Sequence, residues 1–236
     1  MTRAGKRIGP SFHREGANFF YDAVAGARNK NRHAVEENMD IIDYLNLEKL
    51  TPEFPVTFDP GPRDLPRPRI AIAPASRWPS KNWPAQNFIK TARLLRSEGI
   101  TSLYLLGGHQ DIPVCSDIEN ELGGNAVNMA GNLGIAGAGS VIGEMDLVIL
   151  NDSGLLHMAS AMDIPTLSIF GPTDPSRTGP FGKGHRVLKA DIPCRPCFRR
   201  ECPLKHHSCM MSIRPETVVQ TALDMIGSRK FSGNGA

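Results

Sequence analysis

Residues 146–174, DLVILNDSGLLHMASAMDIPTLSIFGPTD, constrain the fold more than any other part of this chain. The opening DLVIL is a short, mostly apolar run, the mark of a strand buried on both faces. Asn151, Asp152, Ser153 and Gly154 interrupt it with residues that turn the chain and cap helices. Residues 155–162 then place Leu155, Leu156, Ala159 and Met162 on one helical face. A second apolar strand, 166–170, ends as abruptly in Gly171-Pro172-Thr173-Asp174. Two parallel strands around a crossover helix form a βαβ unit. Both polar turns fall at strand C-termini, where open parallel sheets bind ligands. The first turn also opens a helix, whose free N–H groups and dipole favour a phosphate. His157 lies one turn inside that helix, close enough to reach the same pocket. Taken singly, Asp152 or Ser153 can be a plain helix cap and His157 a core histidine. Asp152, Ser153, Gly154, His157, Gly171, Pro172 and Thr173 together read as a site.

The flanking sequence extends the same pattern. Residues 69–73 (RIAIA) predict a strand ending in Pro74-Ala75-Ser76, and Pro84 suits the first turn of a helix carrying Phe88, Thr91, Ala92 and Leu95. Strands at 102–106 and 126–129, helices at 112–122 and 133–145, a last strand at 185–189 and a helix at 215–226 complete an α/β alternation. The helix at 133–145 is rich in glycine and alanine, so packing rather than propensity must hold it. The tail FSGNGA is expected to be disordered.

Upstream the pattern changes. Residues 51–68 hold six prolines, which exclude a regular helix or central strand, and this segment is expected to be a stiff linker at a domain boundary. Residues 33–47 repeat Val35, Met39, Ile42 and Leu45 at helical spacing. Residues 1–32 show no clear buried strand, though Ile8-Gly9 could end a short one. The expectation is a doubly wound parallel sheet over 69–236 and the interior of a second domain over 1–50.

Net charge (+3 over 236 residues) does not predict nucleic-acid binding. No segment is apolar and long enough to span a membrane, and no apolar leader follows the charged N-terminus, so the expected compartment is the cytoplasm. Lys6-Arg7 and Arg199-Arg200 could touch an anionic membrane surface, although a solvated face is the plainer reading. Four of the five cysteines cluster, as Cys194-x2-Cys197-x4-Cys202-x6-Cys209. In a reducing compartment this argues against disulfides and leaves two readings, a structural metal or reduced thiols in a loop. The intervals are not those of a standard zinc ribbon, and His206 and His207 offer alternative ligands. Cys115 stands apart on a helix.

Four strand ends bring polar groups to one edge of the sheet: Ser76, Lys81 and Asn82; Gly107, Gly108 and Asp111; then the turns at 152–157 and 171–174. Lys81 is a compact cation suited to a diphosphate. The glycines let backbone approach a ligand, and Asp111 can accept from ribose hydroxyls. Neither a Walker loop nor G-x-G-x-x-G is present, so neither ATP hydrolysis nor hydride transfer is indicated.

These motifs run P-x-S-x-W-x-x-K-x-W-P, L-G-G, N-D-S-G-L-x-H-x-A-x-A, F-G-P-T-D-P-x-R-T-G-P, then C-x-x-C and C-M. Their combination closely resembles the ADP-heptose–lipopolysaccharide heptosyltransferases, glycosyltransferase family nine, over residues 69–227 and more loosely over 1–50. The resemblance implies a GT-B architecture, with a complete Rossmann-like donor domain at 69–236 and a partial acceptor-side domain at 1–50. It implies transfer of heptose from ADP-heptose to the lipopolysaccharide inner core with inversion, without a metal cofactor, at the cytoplasmic face of the inner membrane. Lys81 would meet the diphosphate. Asp152, Ser153, Gly154 and His157 would line the donor phosphate and sugar, with Thr173 nearby and Asp111, or its neighbour Gln110, at the ribose. The family's general-base aspartate sits on an N-terminal glycine-rich loop with no counterpart before residue 33. Arg14 and Glu15 fall on the acceptor side but do not replace it. The chain is therefore expected to begin partway through that domain and to bind donor without efficient transfer. A non-catalytic nucleotide-sugar-binding module is the alternative. A GT-B epimerase fits the signatures less well, and a metal-sensing protein is a weaker rival still.

Overall fold

The computed structural model describes residues 5–12, 16–48 and 51–232. Arg14, Glu15 and the last four residues of the tail lie outside them. The chain divides into two compact units, Met1–Phe54 with Pro175–Gly179, and Pro55–Asp174 with Pro180–Ala236.

The larger unit holds a six-stranded parallel sheet built from β3 (Arg69–Ala73), β4 (Ser102–Leu105), β5 (Val127–Asn128), β6 (Leu147–Asn151), β7 (Thr166–Phe170) and β8 (Arg186–Lys189). Their order is β5-β4-β3-β6-β7-β8. The chain thus winds outward one way from β3 and, after returning to β6, outward the other way. The reversal lies between β3 and β6, the place where such sheets open a crevice. The helices of this unit are α3 (Ala85–Ser97), α4 (Ile112–Glu121), α5 (Ile135–Gly143), α6 (Gly154–Ala161), α8 (Ser208–Met211) and α9 (Pro215–Ser232).

Alternation along the strands explains the layers. Ile70, Ile72, Leu103, Leu105, Leu147, Ile149, Leu167 and Ile169 pack with Phe88, Leu95, Ile118, Val218 and Ala222 of α3, α4 and α9. Ala71, Tyr104, Val148, Leu150 and Phe170 face the other way, onto Val141, Ile142, Leu156 and Ala159 of α5 and α6. All ten side chains of β6 and β7 are buried, as expected of a parallel sheet covered on both faces.

The proline-rich segment from residue 55 onward lies along this unit as a strap. The Phe58 ring covers Gly139, and a Cβ on Gly61 would stand 2.3 Å from the Ser140 carbonyl oxygen. Arg63 pairs with Glu144 at 2.8 Å, Arg67 pairs with Asp146, and Arg69 donates to the carbonyls of Leu65 and Arg63.

The smaller unit has two parallel strands, β1 (Ile8–Pro10) and β2 (Ala23–Ala25), and helices α1 (Ala34–Asn38), α2 (Asp40–Tyr44) and α7 (Pro175–Thr178). Glu37 is fully buried and pairs with Arg177 at 2.7 Å, and Asp40 pairs with Arg32 at 2.9 Å.

Several boundaries differ from expectation. The single helix expected over 33–47 divides at Met39, where Asn38 Nδ2 bonds to the Ala34 carbonyl at 3.0 Å and competes with the backbone ladder. Strand β2 falls where no strand was expected, because three residues with Val24 exposed carry no readable alternation. Helix α9 runs past residue 226 to Ser232, so Phe231 and Ser232 of the expected disordered tail are helical. Among the described residues, no helix is long and apolar enough to cross a membrane.

Candidate functional site

Asn151 closes β6 as a polar residue in an otherwise apolar run and is fully buried. Its Nδ2 donates to the Pro74 carbonyl at 2.7 Å, and its Oδ1 accepts from the Trp83 N–H at 3.2 Å. It therefore ties the end of β6 to the end of β3 and to the loop that follows. Trp83 is anchored in turn by its indole N–H to the Ile213 carbonyl (3.0 Å) and edge-on to Phe88. Ser76 completes the frame. Its N–H donates to Asn82 Oδ1 at 2.7 Å and its hydroxyl to the Asp152 carbonyl at 2.8 Å.

Within that frame three side chains from separate turns meet. Lys81 Nζ lies 2.6 Å from Asp152 Oδ2, and Thr173 Oγ1 donates to the same oxygen at 2.6 Å. Asp152 is 4% exposed. Lys81 also sits over the Trp78 ring, 4.6 Å from its centroid, a cation–π contact that fixes the ammonium further. The carboxylate orients the lysine and offsets part of its charge.

Helix α6 begins beside this cluster. Ser153 is extended (φ −145°, ψ 174°) and makes no side-chain cap, so the plain capping reading does not hold for it. Its hydroxyl is buried with no hydrogen-bond partner. Buried polar atoms are nearly always satisfied, and one left open at a helix N-terminus is suited to an incoming anion.

A cleft of about 770 Å³ opens here, over the reversal between β3 and β6. Ser76, Gly107, Gly108, Asp111, Ser153 and Gly154 line it, and so do Arg77, His109 and Gln110. Asp111 folds back to accept from the Gly108 N–H at 2.8 Å, which shapes the turn after β4. A second part of the wall is apolar: Leu106, Leu133, Ile135, Ala138, Leu155 and Met158. Sequence reasoning missed this wall, since Leu133 and Ile135 at the start of a helix look like ordinary packing residues. It also missed Asn151, whose signal was a lone amide ending an apolar strand.

The expected residues Lys81, Asn82, Asp152, His157, Gly171, Pro172 and Thr173 are not on the cleft wall, the Lys81–Asp152 pair standing beside it. His157 is on the exposed side of α6. Thr173 works through Asp152. Gly171 is buried against the cysteine loop, where a Cβ would stand 2.4 Å from Met210 Sδ and 3.1 Å from Cys209 Sγ. That loop props the turn after β7. Arg195 donates to the carbonyls of Gly171 (2.9 Å) and Thr173 (3.0 Å), and the Phe198 N–H donates to the Pro172 carbonyl at 2.8 Å. On its other side, Ser80 bonds to the carbonyls of Arg199 and Arg200. Backbone N–H groups, His207's foremost, lower the Cys202 thiol pKa, whereas burial and then the neighbouring cysteines raise that of Cys209. Among the described residues, no three His, Cys, Asp or Glu side chains form a ready metal site.

Comparison with known proteins adds a family match. A family model described as glycosyltransferase family 9 (heptosyltransferase) matches residues 1–208. Lipooligosaccharide heptosyltransferase 2 of Campylobacter jejuni is 32% identical over 156 residues, covering 64% of this chain and 49% of the relative. Lipopolysaccharide heptosyltransferase 1 of Pseudomonas aeruginosa is 31% identical over 186 residues, covering 72% and 49%. The chain thus spans about half the length of these relatives. The structure of E. coli heptosyltransferase WaaC with ADP-2-deoxy-2-fluoro heptose superposes with a TM-score of 0.66 at 20% identity, covering 93% of this chain and 65% of that one. That likeness supports the GT-B fold.

Proposed function

The chain belongs to glycosyltransferase family 9, and from that membership we propose that it carries the donor side of an inverting heptosyl transfer, with ADP-heptose as donor and the lipopolysaccharide inner core as acceptor. The observation that carries the reading is the buried hydroxyl of Ser153, which has no hydrogen-bond partner, on a residue of the cleft wall at the N-terminus of α6, beside the Lys81–Asp152 pair. A diphosphate placed there meets the Ser153 hydroxyl, the free N–H groups of the first turn of α6 and the Lys81 ammonium. The apolar wall from Leu133 to Met158 suits a flat base, and Asp111 and Gln110 border the cleft where ribose hydroxyls would lie. His157, exposed one turn along α6, is assigned to the sugar end.

These groups favour transfer as well as binding. When an acceptor hydroxyl attacks the anomeric carbon from the face opposite the phosphate, the C–O bond to the diphosphate breaks and negative charge grows on the leaving ADP. Donors fixed at that position, the α6 N–H groups and Lys81, stabilise the growing charge more than the ground state. None of these donor-side residues is assigned as the base that takes the acceptor proton. A general base is worth ~10²–10⁴-fold, so binding and transfer are separate readouts. In this reading the acceptor belongs to a membrane lipid, so the transfer would run at a membrane surface, the cytoplasmic face being the side proposed.

The test is calorimetric titration with ADP and ADP-heptose beside Lys81→Ala and Asp152→Ala, followed by a transfer assay on heptose-free core. Micromolar binding that both variants weaken supports the donor site. Binding without transfer leaves a nucleotide-sugar-binding module, the second reading. No binding by a folded chain overturns both.

A further inference from the structure

Charge at the cleft does not balance on the residues assigned so far. Lys81 is held by Asp152 at 2.6 Å, so that pair offers an anion no net charge. Asp111, on the cleft wall, adds a carboxylate. The one ammonium against these two carboxylates leaves the group negative, whereas a sugar nucleotide brings a negative charge on each phosphate. The dipole of α6 acts on an anion only near its first turn. Binding then calls for a further cation beside that turn, free to face the ligand.

Arg77 meets that description. It lines the cleft together with Ser76, Ser153 and Gly154. Among the described residues it is the only Lys or Arg on that wall, and its side chain has no hydrogen-bond or ion-pair partner. The neighbouring cations are engaged elsewhere. Arg195 is on the carbonyls of Gly171 and Thr173, and Arg200 lies over the Trp78 ring, 5.7 Å from its centroid. The backbone on either side of Arg77 is fixed. Ser76 is tied to Asn82 and to the Asp152 carbonyl, and the Trp78 carbonyl accepts from the Lys81 N–H at 2.9 Å. The bond from Ser76 to Asp152 sets the chain directly before Arg77 against the start of α6. An exposed guanidinium is thus carried on the cleft wall by a stem that does not have to be ordered first.

We propose that Arg77 is a donor-binding and specificity-determining residue of this chain, its guanidinium clamping the diphosphate of the sugar nucleotide beside the Ser153 hydroxyl and the first turn of α6. The inference rests on the donor reading above and adds the cation that balances the site's charge. A guanidinium suits the role, because its planar fork donates paired hydrogen bonds to phosphate oxygens, where an ammonium is a point charge. Arg77 falls at an open position of P-x-S-x-W, between the fixed serine and the tryptophan, so the contact belongs to this chain rather than to the motif. Negative charge grows on the leaving diphosphate, and the same guanidinium therefore favours transfer as well as binding.

The experiment is calorimetric titration of the full chain with ADP at low and at high salt, for wild type, Arg77→Gln, Arg77→Lys and Arg96→Gln. Arg96 donates to the Asn125 carbonyl, off the cleft wall, and its loss changes the net charge by the same amount. We expect Arg77→Gln to bind ADP about 10-fold more weakly at low salt, the worth of one charged hydrogen bond, and to lose part of the salt dependence. Arg77→Lys should recover some of the affinity, and Arg96→Gln should match wild type. Arg77 has no side-chain partner to lose, so its variants should keep the wild-type urea midpoint, which separates lost affinity from lost fold. Wild-type binding of ADP with Arg77→Gln within about 2-fold of it overturns this inference and leaves the donor site standing. Equal losses in Arg77→Gln and Arg96→Gln would reduce the effect to bulk charge and overturn it likewise. No ADP binding by the folded wild-type chain removes the donor reading and this inference with it.

Discussion

Lys81→Met tests the buried pair at the centre of the site. The two side chains are 16% and 5% exposed and stand 2.6 Å apart. Without the ammonium, Asp152 keeps a carboxylate charge in a place that admits little water, with the Thr173 hydroxyl as its remaining side-chain donor. Breaking one partner of a buried pair costs about 3–5 kcal/mol. Lys81 retains some solvent contact, which reduces the expectation to about 2–4 kcal/mol. Asp152→Asn is milder, at about 1–2 kcal/mol, because the amide oxygen still accepts from Thr173 and the lysine can lean on the Trp78 ring. The double variant has neither charge and should lie close to Asp152→Asn alone. That corresponds to a coupling as large as the Lys81→Met cost itself, about 2–4 kcal/mol. Urea unfolding of the four proteins gives the cycle directly. The reasoning is refuted if Lys81→Met costs less than Asp152→Asn, or if the two costs add without coupling. On the same proteins, ADP affinity should fall about 10–100-fold for Lys81→Met, the worth of one charged hydrogen bond.

Three further outcomes are expected. Ser153→Ala should leave unfolding within about 0.5 kcal/mol of wild type, since the hydroxyl has no partner to lose, yet weaken ADP about 5-fold; unchanged affinity in calorimetry would remove Ser153 from the phosphate site. Gly61→Ala should cost about 1–3 kcal/mol, because its Cβ meets a backbone carbonyl at 2.3 Å; an unchanged melting temperature would mean that the strap is not pinned there. His185 is half-buried, and this desolvation lowers its pKa from 6.5, although the Asp163 charge pulls partly the other way. Its folded pKa lies below its unfolded one, so as pH falls through about 6.5 the unfolded chain takes up the proton first and stability drops, levelling once the folded form protonates too. Urea midpoints from pH 7.5 to 5 should fall less steeply in His185→Gln than in wild type, and parallel curves would refute the assignment.

What the sequence made legible follows from where the physics is local. The strands at 69–73 and 166–170 were readable to the residue, because each is an apolar run closed by proline, glycine or a polar turn. Strand β2 was not, because three residues cannot display a period. The far end of α9 was hidden by Gly227 and the polar residues after it, which interrupt the apolar stripe although the helix continues. In the candidate site, the polar turn that opens α6 was legible because helix N-termini announce themselves chemically. The apolar wall was invisible, since Leu133, Ala138 and Met158 differ from core residues only in what tertiary packing leaves open beside them.

The Lys81–Asp152–Thr173 cluster joins residues far apart in sequence, and what unites them is register. Ala73 stands level with Leu150, and Asn151 with Ile169, so β3, β6 and β7 reach the sheet edge at nearly the same height. Neighbouring strands are about 4.8 Å apart, so three consecutive ends span roughly 10 Å, comparable with a diphosphate and its two flanking sugars. Asn151 fixes that height, because its amide bonds to the end of β3 and to the loop carrying Lys81. The polar motifs are therefore useful only as a set. Any one of them alone is a turn, and a one-residue slip in the pairing of β6 would send Asn151 to the opposite face and separate Asp152 from both partners.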